Sequence, residues 1–262
     1  LFQSILAQRH TAASNIRSLI APAALFHGDL VLWCWRPGGG QNVLIGDFTG
    51  HGLRAAIGAL PVADLFYDRS ADGWSIRDIA RAINRKLRTI LPPGMFLAAC
   101  LLEIDAKNGR CLAWNGGVPE ALVVRSGAGV VARIRSNHLP LAIVDDAKFD
   151  DSVQAFDVEA GDRIFSFTDG IPETADESGS MFGVERIGAI LERAAVPERA
   201  FDDLIFALHD FARGSAQSDD VTLVEVRIDP SQHWPPRTGS PTSESPARPP
   251  CRLVLELDRD AL

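Results

Sequence analysis

The chain lacks the features that mark several common classes of protein. No apolar stretch reaches the roughly 18 residues that a membrane helix needs, and no charged-then-apolar signal segment opens the chain. With 26 Lys and Arg against 34 Asp and Glu, the formal net charge is −8, which disfavours sequence-independent binding of nucleic acid. We therefore expect a soluble, cytoplasmic protein that binds neither a membrane nor a nucleic acid.

Cysteine is scarce, and its spacing excludes the usual cysteine chemistry. Cys34, Cys100, Cys111 and Cys251 form no C-x-x-C pair, and none stands beside a histidine at zinc-ligand spacing. We predict that all four are buried apolar thiols in a reducing compartment. G-x-S-x-G, H-E-x-x-H and catalytic Cys–His patterns are also absent, so the common rival hydrolases are not supported.

What remains is an ordinary globular composition, with 46% hydrophobic and 23% charged residues in a chain of 262. Residues 1–21 are predicted to be the end of an N-terminal linker or helix, and residues 22–228 a single domain. Residues 229–250 are rich in Pro, Ser and Thr, which predicts an extended linker. Residues 251–262 resume an apolar alternation and are interpreted as the first strand of a truncated further domain. The chain begins with Leu1, so we interpret it as an excised piece.

Within residues 22–228 the pattern alternates between short apolar strands and a few helices. Pro37-Gly38-Gly39-Gly40 joins two strands, and because no GK[ST] follows it, a hairpin turn is favoured over a phosphate loop. Consecutive hairpins predict mostly antiparallel pairing, hence an α+β fold with two sheets between helix layers. Helices are predicted at 53–67, 75–90, 184–194 and 200–213, and strands at 30–35, 42–47, 96–104, 110–114, 120–125, 130–135, 152–158, 163–167 and 221–228.

Four aspartates stand at the ends of predicted strands: Asp29, Asp47, Asp169 and Asp219. Carboxylates at buried strand ends cost several kcal/mol unless they are paired or bind a metal, and no Lys or Arg lies within these motifs. Their oxygens suit Mg²⁺ or Mn²⁺, and two such ions roughly 4 Å apart can clamp a phosphoryl group. Alternatively, each aspartate is an ordinary turn or helix-cap residue. The sequence alone does not show that the four converge in space.

In this order the motifs HGD, GDFTGHG, TDG and DDVT resemble the SpoIIE/RsbU-type branch of the PPM (type 2C) metal-dependent serine/threonine phosphatases. The stretches 95–99 and 114–119 also resemble the central strands and the N-x-G-x-x-P turn of that family. The resemblance covers roughly residues 20–228. It implies an αββα sandwich of two mostly antiparallel sheets flanked by helix layers, with a metal site at one edge of the sheets.

The resemblance also implies a role for each acidic residue. Asp47 is expected to bridge two Mn²⁺ or Mg²⁺ ions, and the carbonyl of Phe48 to bind one of them. Asp169 and Asp219 match the remaining direct carboxylate ligands, and Asp29 matches an acidic residue that holds a metal or its waters. Thr222 is expected to support the loop of Asp219.

The implied reaction is hydrolysis of phosphoserine or phosphothreonine by a metal-bridged hydroxide that attacks phosphorus in line. His51 is a candidate proton donor to the leaving group, the alternative being a structural role. His27 replaces the usual small residue before Gly-Asp and could touch metal-bound water. The phosphate-binding Arg of animal family members has no visible counterpart in this sequence.

Members of this branch usually dephosphorylate a STAS-type anti-anti-sigma protein under the control of an upstream receiver or sensor domain. The resemblance therefore implies a signalling phosphatase, possible homodimerisation, and helix 53–67 as the element that moves. The alternative from another class is a catalytically weak or dead adaptor that binds a partner in a sigma-factor pathway. Such members tend to lose metal aspartates, whereas this chain keeps all of them.

Overall fold

The computed structural model describes residues 15–23, 28–49, 53–193, 197–215, 217–231 and 251–254. Eleven strands in these ranges form two antiparallel sheets: β1 (Ile16–Ala21), β2 (Asp29–Trp35), β3 (Gln41–Phe48), β4 (Leu97–Asp105), β5 (Arg110–Gly116), β6 (Ala121–Arg125), β7 (Gly129–Ile134), β8 (Gln154–Asp157), β9 (Arg163–Phe167), β10 (Val221–Arg227) and β11 (Cys251–Val254). The five-stranded sheet has the order β1-β10-β9-β6-β7, and the six-stranded sheet has the order β11-β2-β3-β4-β5-β8.

Helices cover the outer face of each sheet. They are α1 (Leu53–Ala71), α2 (Ile76–Ile90), α3 (Gly170–Glu173), α4 (Val184–Arg193) and α5 (Ala200–Phe211), with 3₁₀ turns at Asp146–Lys148 and Pro197–Arg199. Apolar residues of α1 and α2 share one core cluster with the six-stranded sheet, and those of α4 and α5 share another with the five-stranded sheet. The predicted αββα sandwich is therefore confirmed.

A third cluster fills the space between the sheets. Side chains along a strand point alternately to its two faces, so a strand covered on both sides must be apolar throughout. Strand β2 shows this: Leu30 and Leu32 pack toward the helices, while Val31 and Trp33 pack between the sheets. Neighbouring strands follow the same alternation, which fixes the register, because a shift by one residue would exchange the two faces.

The hairpins and helices predicted from periodicity are present with small differences at their ends. The turn between β2 and β3 is closed by the Arg36 amide, which donates to the Gly40 carbonyl at 3.0 Å. Ser75 caps α2 by accepting from the Asp78 amide, and the buried face of this helix carries the predicted isoleucines, including Ile79 and Ile83.

Two segments differ from the sequence-based expectation. Ile16–Ala21, predicted as linker or helix, is strand β1 and pairs along its whole length with β10. Cys251–Val254 is a strand, as predicted within residues 251–262, and it pairs with the free edge of β2 in the six-stranded sheet, a partner that the sequence did not predict. Pairing partners distant in sequence decided both outcomes, and a local pattern does not reveal them. Residues 1–14 lie outside the described part, and the division of the chain into domains stays a prediction.

The cysteines also divide into two kinds. Cys100 and Cys111 are buried thiols, as predicted, and burial raises the pKa of Cys100 to about 12. The prediction was wrong for Cys34, which is disulfide-bonded. Its position in β2 lies directly opposite Cys251 of β11 in the antiparallel register.

Among the described helices, none combines the length and the apolar character required to cross a bilayer.

Candidate metal centre

The pairing of β2 with β3 places two of the predicted site residues side by side. Asp29 and Asp47 are direct partners across this antiparallel pair, at the end of the sheet where β3 finishes. The Cβ atoms of such partners lie about 4.5–5.5 Å apart on the same face of the sheet. Like charges in this arrangement destabilise a sheet, so the position calls for a proton or a cation between the two carboxyl groups.

Both carboxyl groups face the space between the two sheets. Asp29 continues the row of Val31 and Trp33, and Asp47 continues the row of Ile45, all of which belong to the cluster between the sheets. Asp29 is almost completely buried, whereas Asp47 is partly exposed. The pair therefore lies at one end of the inter-sheet core, with Asp47 the more accessible of the two.

The five-stranded sheet brings its own carboxylates to the same end. Asp169 follows β9 and Asp219 precedes β10, and the two strands stay paired to their ends because the Thr168 amide donates to the Thr222 carbonyl at 3.1 Å. A Cβ on Gly170 would lie 1.9 Å from the Asp220 carbonyl oxygen. Only glycine permits this close approach, which explains the glycine at the end of the TDG motif.

The electrostatics show that these carboxylates share one environment. Burial, followed by the charges of Asp29, Asp169 and Asp219, raises the pKa of Asp47 to about 9, and a side-chain hydrogen bond to Asp29 adds to the effect. Burial likewise raises the pKa of Asp29 to about 7. The pKa of Asp169 is raised by burial and by the charge of Asp219. Among the described residues, no Lys or Arg forms an ion pair with Asp47, Asp169 or Asp219.

Two threonines of the five-stranded sheet reach across to Asp29. The Thr168 hydroxyl donates to Asp29 Oδ2 at 2.9 Å and accepts from the Thr222 amide at 3.1 Å. The Thr222 hydroxyl also lowers the pKa of Asp29, although its geometry falls short of a full hydrogen bond. The predicted support of the Asp219 loop by Thr222 stays a prediction. The hydrogen bond from Thr168 to Asp29 was not predicted, although the threonine of the TDG motif could have indicated it.

Asp220, the second aspartate of the DDVT motif, has a different function from its neighbour. Its carboxylate accepts from the Ala23 amide and from the Gly28 amide, both at 2.8 Å. It therefore holds the segment that leads into Asp29, whereas Asp219 is exposed and acts electrostatically on Asp47 and Asp169. The backbone-holding role of Asp220 was not predicted, because both amides that it binds lie almost 200 residues away in sequence.

The peptide after Asp47 is fixed from three sides. The ring of Phe48 is buried, and a Cβ on Gly58 of α1 would lie 2.7 Å from it. The Phe48 amide donates to the Gly28 carbonyl at 3.2 Å, and the Thr49 amide donates to the Phe96 carbonyl at 3.0 Å. His27 and His51, predicted to touch metal-bound water and to donate a proton, lie outside the described residues.

A fifth carboxylate, not identified from the sequence, borders this group. Glu173 follows Asp169 by one helical turn in α3, and its amide donates to the Asp169 carbonyl at 2.9 Å. Desolvation, together with the charges of Asp169 and Asp219, raises the pKa of Glu173. The sequence could have indicated Glu173, because it stands four residues after the TDG aspartate and would lie beside it in a helix.

The donor set fits divalent cations in its chemistry. All candidate groups are carboxylate or carbonyl oxygens, the ligands that Mg²⁺ and Mn²⁺ prefer. Burial and the charges of neighbouring carboxylates raise the pKa values of Asp29 and Asp47, and a bound cation would offset this negative charge. Within the described residues, however, no three His, Cys, Asp or Glu side chains are already arranged closely enough to hold one ion. The assignment of individual ligands therefore stays a prediction.

The fold and the carboxylate pair define a PPM-type phosphatase domain. The family model of Stage II sporulation protein E (SpoIIE) matches residues 37–229, and the chain belongs to this family.

Individual relatives agree with this placement. The chain is 25% identical over 134 residues to the phosphoserine phosphatase RsbP of Bacillus subtilis (strain 168), a match covering 50% of this chain and 32% of that protein. The matched part is thus about a third of the relative's length. Among solved structures, the SiaA-PP2C domain of Pseudomonas aeruginosa superposes with a TM-score of 0.73 at 19% identity, covering 87% of this chain and 93% of that one. A phosphatase-domain structure of SpoIIE from Bacillus subtilis gives 0.65 at 21% identity, covering 84% and 64%.

Proposed function

We propose that this chain is a metal-dependent protein phosphatase that hydrolyses phosphoserine or phosphothreonine on a signalling protein. The observation that carries the proposal is the direct opposition of Asp29 and Asp47 in one sheet, within the electrostatic reach of Asp169 and Asp219 from the other. The name of the RsbP relative, phosphoserine phosphatase, supports the same reaction class.

Asp47, Asp169, Asp219 and the Phe48 carbonyl would hold two Mn²⁺ or Mg²⁺ ions, and Asp29 would hold one ion or its waters. Bound divalent ions supply the Lewis acidity that activates water and offsets the charge of the phosphoryl group. The chain's own part is positional. Thr168 fixes the orientation of Asp29, and Asp220 fixes the segment that enters β2. Preorganised groups of this kind need no rearrangement as charge develops in the reaction.

The proposed partner is a phosphorylated STAS-type anti-anti-sigma protein, with a receiver or sensor domain upstream in the full-length protein and possible homodimerisation. These proposals come from the family resemblance. We propose further that α1 relays the upstream signal, because it begins just after the Asp47 motif and Gly58 of α1 packs on the Phe48 ring.

The decisive experiment is calorimetric titration of Mn²⁺ into the wild type and into Asp169→Ala, together with hydrolysis of p-nitrophenyl phosphate. We expect the variant to bind Mn²⁺ at least tenfold more weakly and to lose hydrolysis. Asp176→Ala is a matched control, because Asp176 lies in the same connection and its carboxylate accepts from Ser178 and Ser180, away from the carboxylate group of the site.

Equal Mn²⁺ binding by the wild type and Asp169→Ala would show that the site is misassigned. Normal Mn²⁺ binding without hydrolysis of any phosphoprotein by the wild type would instead favour the adaptor alternative.

A further inference from the structure

The row of residues that begins with the two carboxylates continues across the sheet as an apolar shelf. Asp29 pairs with Asp47, and Asp47 pairs with Ala98 of β4. Gly116 pairs with Ala99, which places Gly117 beside Ala98 at the end of β5. Strands lie about 4.8 Å apart, so Gly117 is about 10 Å from Asp47 on the same edge.

Pro140 covers this end of the row. A Cβ on Gly117 would lie 2.6 Å from Pro140 Cγ and 3.0 Å from the Ala98 Cβ, and the φ of Gly117 is +92°. A Cβ on Gly116 would lie 2.5 Å from the Leu139 carbonyl oxygen. Both positions therefore require glycine, because the Leu139 carbonyl and the Pro140 ring lie directly on this edge of the sheet.

The segment that carries Leu139 is anchored on both sides. The Gly117 amide donates to the Ser136 hydroxyl at 2.8 Å, and the His138 amide donates to the Asn115 carbonyl at 3.1 Å. Beyond Pro140, the amide and carbonyl of Leu141 are both hydrogen-bonded to Leu97, at 2.8 and 3.0 Å. The backbone is thus fixed, yet the Leu139 side chain is 57% exposed. Because the backbone is already ordered, covering Leu139 costs no backbone entropy, and only the rotamers of the side chain have to be fixed.

The segment around Leu139 contains no Asp, Glu, Lys or Arg. Residues 136–141 read Ser-Asn-His-Leu-Pro-Leu, and His138 is stacked on Trp114 with ring centroids 5.0 Å apart. An acidic peptide would be repelled by the neighbouring carboxylates, and residues 136–141 include no Lys or Arg to attract it. An apolar side chain is the chemistry that Leu139 and Pro140 can bind.

We infer that Leu139 and Pro140 form a substrate-binding shelf that contacts an apolar residue of the phosphoprotein about three positions from the phosphorylated residue. The spacing follows from the separation of about 10 Å between Asp47 and Gly117, the glycine that Pro140 covers. An extended peptide rises about 3.3 Å per residue and therefore spans this distance in about three residues. This inference rests on the proposed function and adds to it the sequence class of the substrate.

The test compares two phosphoserine peptides of equal length and charge. One carries leucine at both positions three residues before and after the phosphoserine, and the other carries glutamine at both. We expect the wild type to favour the leucine peptide about fivefold to tenfold in kcat/KM, mainly through KM, as burial of one partly exposed leucine predicts. Leu139→Ser should reduce this ratio to near 1, and Leu139→Met should retain it. Val131→Ser, a change at an apolar side chain that is 39% exposed on the edge strand β7, should keep the wild-type ratio.

The inference is wrong if the wild type shows no preference, or if Leu139→Ser keeps the preference. Should the wild type hydrolyse neither peptide nor p-nitrophenyl phosphate, the proposed function fails separately. The shelf is then judged by fluorescence anisotropy of the two labelled peptides in Mn²⁺. The leucine peptide must bind more tightly to the wild type than to Leu139→Ser, and equal affinities would overturn the inference.

Discussion

At the scale of single residues, the adjacent aspartates before β10 separate structural support from chemistry. Asp220 is buried and accepts from two backbone amides, whereas Asp219 is exposed and faces the other carboxylates. We therefore expect the two neighbouring side chains to make different contributions, Asp220 to the free energy of unfolding and Asp219 to the proposed binding of cations. The pair offers an internally matched comparison.

We predict that Asp220→Ala lowers the free energy of unfolding by about 1–3 kcal/mol, because the buried Gly28 amide and the more accessible Ala23 amide both lose their acceptor. Asp219→Ala should change it by less than about 1 kcal/mol in the absence of metal, as is usual for exposed positions. It should nevertheless weaken Mn²⁺ binding at least tenfold. Urea unfolding of metal-free protein and calorimetry measure the two effects. A larger loss of unfolding free energy in Asp219→Ala than in Asp220→Ala would contradict the structural role of Asp220.

Glu225 provides a pH-dependent contribution away from the candidate site. It is buried in β10 and ion-paired with Arg163, yet its pKa is raised, because the cost of burial exceeds the gain from the pair. A carboxyl whose pKa is raised by folding stabilises the fold fully below its unfolded pKa. This contribution is lost as the pH rises through the folded pKa.

We therefore predict that wild type loses stability relative to Glu225→Gln as the pH increases from about 4 toward 7, since glutamine does not titrate. Urea unfolding of both proteins across this range gives the difference at each pH. Only the change of that difference with pH is diagnostic, because the substitution also alters the partner of Arg163. A difference that stays constant or increases with pH would refute the prediction.

At the scale of elements, α2 holds a long surface segment in place. Residues 142–151, which we call the strap, lie along α2 and are bound by side chains of successive turns. Asn84 accepts from the Ala142 amide at 2.8 Å and donates to the Val144 carbonyl at 3.1 Å. Arg81 and Arg88 bind further carbonyls and carboxylates of the strap. Ala142 itself has a φ of 79°, a conformation that a residue other than glycine keeps only when its neighbours enforce it.

Asn84→Ala should lower the free energy of unfolding by about 2 kcal/mol, because Asn84 is buried and its loss leaves two strap groups without a partner. Lys86→Ala is the control, since Lys86 is exposed on the same helix and alanine favours the helix. Chemical denaturation of both variants gives the comparison. Equal stability of the two would mean that water replaces Asn84 without cost.

At the scale of the whole molecule, the candidate metal centre lies where the two sheets meet. Asp29 and Asp47 belong to the six-stranded sheet, while Asp169 and Asp219 adjoin the five-stranded one. Cations bound by both pairs would connect the sheets, and a ligand that binds only the folded state stabilises it by mass action.

We predict that Mn²⁺ at about 100 times its Kd adds about 2.7 kcal/mol to the free energy of unfolding, and that a chelator reverses this. Asp47→Asn and Asp219→Asn should each abolish most of the shift, although they alter different sheets. Thermal unfolding with and without Mn²⁺ measures it. A shift retained by either variant would show that the ions do not connect the sheets there.

The sequence determined the local elements, the αββα class and the identity of the four acidic motifs. Apolar periodicity, Gly-rich turns and a capped helix are local properties, and the motifs are contiguous. Tertiary structure alone decided that Ile16–Ala21 is a strand and that Cys251–Val254 pairs with β2, because the pairing partners lie far away in sequence. It also decided that Thr168 acts on Asp29 and that Asp220 holds the backbone, since both contacts join residues more than 130 positions apart. Side chains alternate across a strand, so only the packing of the two sheets reveals which groups face each other.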